Sequence, residues 1–157
     1  MLVNILIGLA VGGLLASATH LGNPQRALLA FSQWRSSWLS REAWASVVAL
    51  LALAPAALSD WLGLDLAAAL RLPGAALALA TVFCTSMIYA QIRAVPRWNH
   101  WLTPVLFMAF TLSGGALMAG AGLAAALLLL ALAGTLALAF KLGDRQFSER
   151  GATMETA

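Results

Sequence analysis

The strongest candidates for chemistry in this 157-residue sequence are two ionisable side chains at the ends of neighbouring apolar tracts. His20 lies at the end of the first predicted membrane span and Glu42 at the start of the second, so we expect both at the same membrane boundary. Imidazole exchanges a proton near neutral pH, and ionisable groups at a membrane often mark a proton or ligand path. Structural alternatives stay open, because an interfacial histidine can simply be hydrated and a glutamate can simply favour a helix N-terminus.

Four further polar residues could support such a site, and each also has an ordinary structural role. Arg26 and Arg41 lie between His20 and Glu42, where arginines commonly set membrane topology or contact lipid headgroups. Tyr89 precedes Arg93 by about one helical turn, and its hydroxyl needs a partner that a ligand or another helix could supply. We therefore treat these four as supporting candidates only.

The composition shows which medium surrounds these residues. The chain is 62% hydrophobic and only 10% charged, whereas a soluble globular domain carries about 25% charged residues. A net charge of +3 without a basic run argues against nucleic acid as a partner. The uncharged tracts are residues 1–25, 43–59, 72–92 and 98–140. We therefore expect a lipid bilayer around most of the chain.

The few potential metal ligands argue against a bound metal or haem. Cys84 is the single cysteine, which excludes an intrachain disulfide and a cysteine-ligated iron–sulfur cluster within this chain. His20 and His100 fall on the same side of the predicted membrane, so they do not face each other as haem ligands would. Any redox metal would have to come from elsewhere, and we assign no catalytic residue to this chain.

The tract lengths predict an all-α integral membrane bundle. A helix crosses the hydrocarbon core with about 20 residues, so each of the first three tracts fits one crossing. The fourth tract is long enough for two crossings, with a turn at Gly120-Ala121-Gly122. The predicted spans are approximately 2–19, 43–59, 72–92, 102–119 and 123–140.

A short interfacial helix is predicted between the first two spans. Asn23 before Pro24 is a typical helix start, and the helix would run to about Trp34. Ser40 is a candidate cap for the second span, with Glu42 in the first turn of that span.

Five spans place eight of the nine Lys and Arg residues on one side, in loops 20–42 and 93–101 and in the tail. Only Arg71 lies on the other side, so the positive-inside rule predicts a cytoplasmic C-terminus and an external N-terminus. All six Trp residues lie in loops or near span ends, where interfacial aromatic residues concentrate. We therefore divide the chain into a transmembrane domain, 1–140, and a polar tail or linker, 141–157.

Two ordered blocks of the sequence resemble the dimethyl sulfoxide reductase membrane-anchor (DmsC) family. The blocks are Thr19–Ala27 with Ser37–Glu42, and Met87–Arg93 with Val95–Asn99, Leu102–Pro104 and Phe107. The resemblance runs over nearly the whole chain. The family pattern has further spans before and after this part, so we expect a partial product of a larger bundle.

The resemblance implies a subunit without a cofactor of its own, which exchanges electrons with the quinone pool, either menaquinone or ubiquinone. Such a subunit holds a molybdopterin catalytic subunit and a ferredoxin-like iron–sulfur subunit at the bacterial inner membrane, in an anaerobic or sulfur-compound respiratory chain. His20 matches the family histidine associated with quinol binding, and Glu42 matches a carboxylate near the same site. The resemblance leaves open the direction of electron flow and the substrate, which could be a sulfoxide, an N-oxide, sulfite or another compound.

The alternative is a small membrane transporter, channel or assembly factor without a redox role. In that case the polar loops are gates or docking sites, and no molybdenum or iron–sulfur protein co-purifies with the chain.

Overall fold

The computed structural model describes residues 2–19, 22–64 and 68–149, and all regular elements there are helices. The α-helices are α1 (Leu2–Thr19), α2 (Trp38–Leu62), α3 (Ala68–Ala90), α4 (Leu102–Met118) and α5 (Gly122–Glu149). A 3₁₀ helix, Pro24–Phe31, lies between α1 and α2. The predicted all-α class is confirmed for the described residues, and the predicted short helix between the first two spans is present.

Three helices are long and apolar enough to cross a membrane, over Trp38–Leu62, Ala69–Ala90 and Gly122–Glu149. Shorter apolar stretches occupy α1, at Ile7–Ala16, and α4, at Leu102–Met118. The five α-helices thus lie where five spans were predicted, and five membrane crossings stay a prediction.

Two helices begin or end beyond the predicted spans and include charged residues. The second span was predicted as 43–59, but α2 runs from Trp38 to Leu62. The third was predicted as 72–92, but α3 already includes Arg71. Arg71 forms an ion pair with Asp60 of α2, so both charges are accommodated within helices. Gly63 ends α2 in the left-handed conformation with φ of 68°, as is typical of a helix C-terminus.

The last helix also continues past its predicted end. The fifth span was predicted to stop at residue 140, but α5 continues to Glu149, so the predicted domain boundary falls inside a helix. Residues 141–149 contain no proline, and the glycine among them, Gly143, is buried. Residues 150–157 of the predicted tail lie outside the described residues.

The chain forms two compact units, Met1–Thr81 and Val82–Ala157. In the first unit, α1 packs on α2, and the 3₁₀ helix packs on α2 as well. In the second, α4 and α5 form a helical hairpin through a turn in which Gly120 has φ of 70°, at the turn that the sequence predicted. Many leucines of α5 are largely exposed, such as Leu123 at 78% and Leu130 at 70%, as expected of a surface that faces lipid.

Candidate functional site

The segment before Glu42 is attached to α2 by side chains that bind its backbone carbonyl groups. The last carbonyls of a short helix have no partner within the helix and need other donors. Ser40 donates its hydroxyl to the Ala30 carbonyl and accepts the Gln33 N–H at 3.2 Å. Trp44 donates its indole N–H to the Phe31 carbonyl at 3.0 Å. The C-terminal end of the 3₁₀ helix is therefore fixed against α2.

Arg41 holds the turn that follows the 3₁₀ helix. Its Nε donates to the Trp34 carbonyl at 3.1 Å, and its Nη2 donates to the Arg35 carbonyl at 2.8 Å. The guanidinium carbon also lies 4.3 Å from the Trp38 ring centroid, within the range of a cation–π interaction. Arg41 was predicted as a supporting site residue, and the structure gives it a role in positioning the loop.

Glu42 lies in the first two turns of α2 with a half-buried side chain. The prediction that Glu42 lies in the first turn is wrong, because α2 begins at Trp38. The prediction that Ser40 caps this helix is also wrong. Ser37 is the N-cap residue, with extended φ and ψ of −111° and 125°, while Ser40 is buried inside the helix and bound to the preceding segment.

His20 lies outside the described residues, so its convergence with Glu42 stays a prediction. Arg26 lies in the 3₁₀ helix with an exposed side chain, and its N–H donates to the Asn23 carbonyl at 3.0 Å. The helix begins at Pro24 as predicted. Asn23 occupies the N-cap position, but its side chain makes no capping hydrogen bond within the described chain.

In the second unit, Tyr89 belongs to an aromatic cluster at the end of α3. Its ring packs edge-on against Trp98, with centroids 5.2 Å apart, and at a tilt against Phe107, with centroids 5.4 Å apart. Asn99 donates its side-chain amide to the Ala90 carbonyl at 2.7 Å, which ties the loop to the end of the same helix. Tyr89 thus helps to hold the loop between α3 and α4, while Arg93 in that loop is exposed.

Two further residues of that loop have structural roles that the sequence reasoning missed. Arg97 forms an ion pair with Asp144 of α5 at 2.6 Å, and its guanidinium lies 5.8 Å from the Phe147 ring centroid. His100 accepts the Leu102 N–H on Nδ1 at 3.1 Å, which caps the start of α4. Asp144 and Phe147 are three residues apart and therefore share one face of α5. This spacing was the sequence signal that could have indicated the contacts with Arg97.

Among the residues that the structure describes, no three His, Cys, Asp or Glu side chains come together as a metal site would require.

The comparisons with known proteins identify the family. The model of the DMSO reductase anchor subunit (DmsC) family matches residues 1–142, so the chain belongs to this family and the predicted resemblance is confirmed. One relative is a sulfite dehydrogenase subunit from Allochromatium vinosum, which is 33% identical over 126 residues. That match covers 72% of this chain and 39% of the relative, so the chain spans well under half the relative's length. No solved structure matches the chain significantly.

Proposed function

We propose that this chain is part of the membrane-anchor subunit of a DMSO-reductase-type molybdopterin oxidoreductase, and that it exchanges electrons between quinol and an iron–sulfur partner subunit. The observation that carries the proposal is the family match over residues 1–142. The similarity to a sulfite dehydrogenase subunit favours a sulfur compound as the terminal substrate. The substrate itself would bind to the molybdopterin subunit.

We place the protein in the bacterial inner membrane with five crossings and with its arginine-rich loops in the cytoplasm. Lys and Arg in short loops favour the cytoplasmic side. The 3₁₀ helix and the turn after it are anchored to α2 by Ser40, Arg41 and Trp44, which gives this side a fixed surface. The iron–sulfur subunit would dock there, close to the proposed quinol site.

The proposed chemistry assigns one proton path to His20 and Glu42. Oxidation of a quinol to a quinone releases two electrons and two protons, so the site needs partners for the ring oxygens and groups that take protons. His20 would bind one ring oxygen and accept a proton, and Glu42 would pass protons toward the loop. The electrons would go to the iron–sulfur subunit, and quinone reduction would reverse these transfers.

The test uses His20→Arg and Glu42→Gln in the full-length anchor within its complex. We expect quinol-linked turnover to fall by roughly 10²-fold or more, the scale of general acid–base catalysis. Turnover with an artificial electron donor that reacts directly with the partner subunits should stay unchanged. Glu149→Gln, at the exposed end of α5, is the control for the carboxylate, and His100→Asn keeps a side-chain acceptor for the Leu102 N–H. Full quinol-linked turnover in both site variants would remove these residues from the mechanism.

A further inference from the structure

An apolar groove of about 560 Å³ lies in the first unit, between α1, α2 and the first half of α3. From α1 it is lined by Ile7, Ala10 and Leu14, and Ala49 of α2 and two alanines of α3 form part of the remaining wall. The polar side chains along it are already satisfied by their own helices: Ser46 donates to the Ala43 carbonyl at 3.0 Å and Thr81 to the Leu77 carbonyl at 3.0 Å. The wall therefore suits a hydrocarbon chain.

At one end of this groove, α2 and α3 approach each other closely. Gly74 lies against the side chain of Leu53, so closely that a Cβ at position 74 would be 2.7 Å from Leu53 Cγ. Arg71, also at this end, forms an ion pair with Asp60. Among the described residues of the groove, the one cation is thus already neutralised and is a poor anchor for a lipid phosphate.

The other end of the groove leads toward Glu42. Successive residues of an α-helix are rotated by about 100°, so Glu42 lies within about 40° of Ser46, Ala49 and Leu53 on the surface of α2. The last three line the groove, and Glu42 is one turn beyond Ser46 on the same face. A phospholipid headgroup there would bring its phosphate toward a carboxylate, whereas a quinol hydroxyl would donate a hydrogen bond to it.

We infer that this groove holds the isoprenoid tail of the quinol whose ring is bound at Glu42. The inference rests on the proposed function, which names quinol as the ligand. It adds the position of the quinol tail and the residues that contact this tail. The alanines of the groove, such as Ala49 and Ala78, make room for the chain, and the Leu53–Gly74 contact limits how far it extends in this direction.

The test is Ala78→Phe in the full-length anchor within its complex, which places a ring in the groove. The matched control is Ala80→Phe on the same helix, because Ala80 is exposed and lies outside the groove lining. Turnover is measured with a long-tailed quinol and with an analogue that carries a short alkyl tail. We expect Ala78→Phe to lower kcat/KM for the long-tailed quinol by about tenfold or more, because buried tail contacts are lost. Turnover of the short-tailed analogue, and of both quinols by Ala80→Phe, should stay within about twofold of the unmodified complex.

Each other result contradicts the inference in a distinguishable way. An equal loss with both quinols, or no loss with either, would overturn the tail site and leave the proposed function standing. If the unmodified complex neither oxidised a quinol nor reduced the corresponding quinone, the proposed function itself would fail.

A measurement on the unmodified complex covers the case in which Ala78→Phe does not fold. A quinone with a photoreactive group on its tail should label peptides that contain residues 46–53 or 71–81. Labelling confined to the second unit would overturn the tail site. Labelling of these peptides by a photoreactive phospholipid, without labelling by the photoreactive quinone, would also overturn it.

Discussion

At the scale of single residues, three side chains of α2 hold the preceding loop by binding backbone carbonyl groups. Ser40, Arg41 and Trp44 together donate hydrogen bonds to four backbone carbonyls between residues 30 and 35. Arg41 binds two of them with one planar group, which a flexible ammonium cannot reproduce. The loop that follows residue 31 thus receives a defined position relative to the start of α2.

Replacing Arg41 by lysine tests this role. Arg41→Lys keeps the positive charge but loses at least one of the two carbonyl contacts and the stacking on Trp38. We expect the turn at residues 32–37 to lose about 1–2 kcal/mol of local stability. Hydrogen exchange of these amides, measured in the detergent-solubilised protein, should become about 5- to 30-fold faster.

The control for this prediction is Arg35→Lys. Arg35 is exposed, and its guanidinium lies 5.4 Å from the Trp34 ring centroid. Its replacement should change exchange by less than about twofold. If Arg41→Lys instead abolished quinol-linked turnover while the turn exchanged at its normal rate, Arg41 would act on the quinol and not on the loop.

The sequence alone identified Glu42 and Arg41 as candidates but not the contacts that position them. Ser37 and Ser40 both precede the apolar part of α2, and serine is a favourable N-cap residue. The choice between them depends on the Ala30 carbonyl, which lies ten residues before Ser40 and reaches it only after the chain has turned. A tertiary contact of this kind has no periodic signal in the sequence.

At the scale of whole helices, α2 and α3 meet where a glycine leaves room for a leucine. Gly74 is buried, and the Leu53 side chain occupies the space that a larger residue at position 74 would need. Small residues allow close approach of helices in membranes, where packing contributes much of the helix association. The ion pair between Asp60 and Arg71 joins the same two helices.

Adding one methyl group at this contact should weaken it. We expect Gly74→Ala to cost about 1–3 kcal/mol of unfolding free energy, because the new Cβ forces Leu53 from its position. Gly114→Ala is the matched control, since a Cβ there would meet no heavy atom of the described chain within 4 Å. That control should be neutral or slightly stabilising, since alanine is a better helix former.

The measurement is reversible unfolding of the full-length protein in mixed micelles. Leu53→Ala combined with Gly74→Ala should recover part of the loss if the clash is its cause, because contacting residues couple in double-mutant cycles. Equal stability of Gly74→Ala and the unmodified protein would show that this contact is not tight.

The sequence predicted the positions of some helices more closely than those of others. The first and fourth spans match α1 and α4 closely, because their ends coincide with turns or polar residues. The helices α2, α3 and α5 extend beyond the predicted spans, because the spans were bounded by charged residues and these helices include charged residues. Asp60 pairs with Arg71, and Asp144 pairs with Arg97, so helices continue past residues that end the apolar tracts.

At the scale of the whole molecule, the number of helices follows from the medium. A backbone in hydrocarbon must satisfy its own hydrogen bonds, so each apolar tract of sufficient length becomes a helix. The long tract at 98–140 becomes two helices because Gly120 turns the chain with a positive φ. The family match adds what hydropathy cannot supply, namely that these helices belong to the DMSO reductase anchor subunit (DmsC) family.

The five predicted crossings can be tested with single cysteines in a Cys84→Ala background. Ser36→Cys and Ala94→Cys, in the arginine-rich loops, should react with a membrane-impermeant maleimide only in inverted vesicles. Leu64→Cys and Ala121→Cys, in the two other turns, should react in intact spheroplasts. All four positions are exposed, so accessibility reports the side of the membrane and not burial. Labelling of Ala94→Cys and Ala121→Cys from the same side would show that α4, with an apolar stretch shorter than the long spans, does not cross the bilayer.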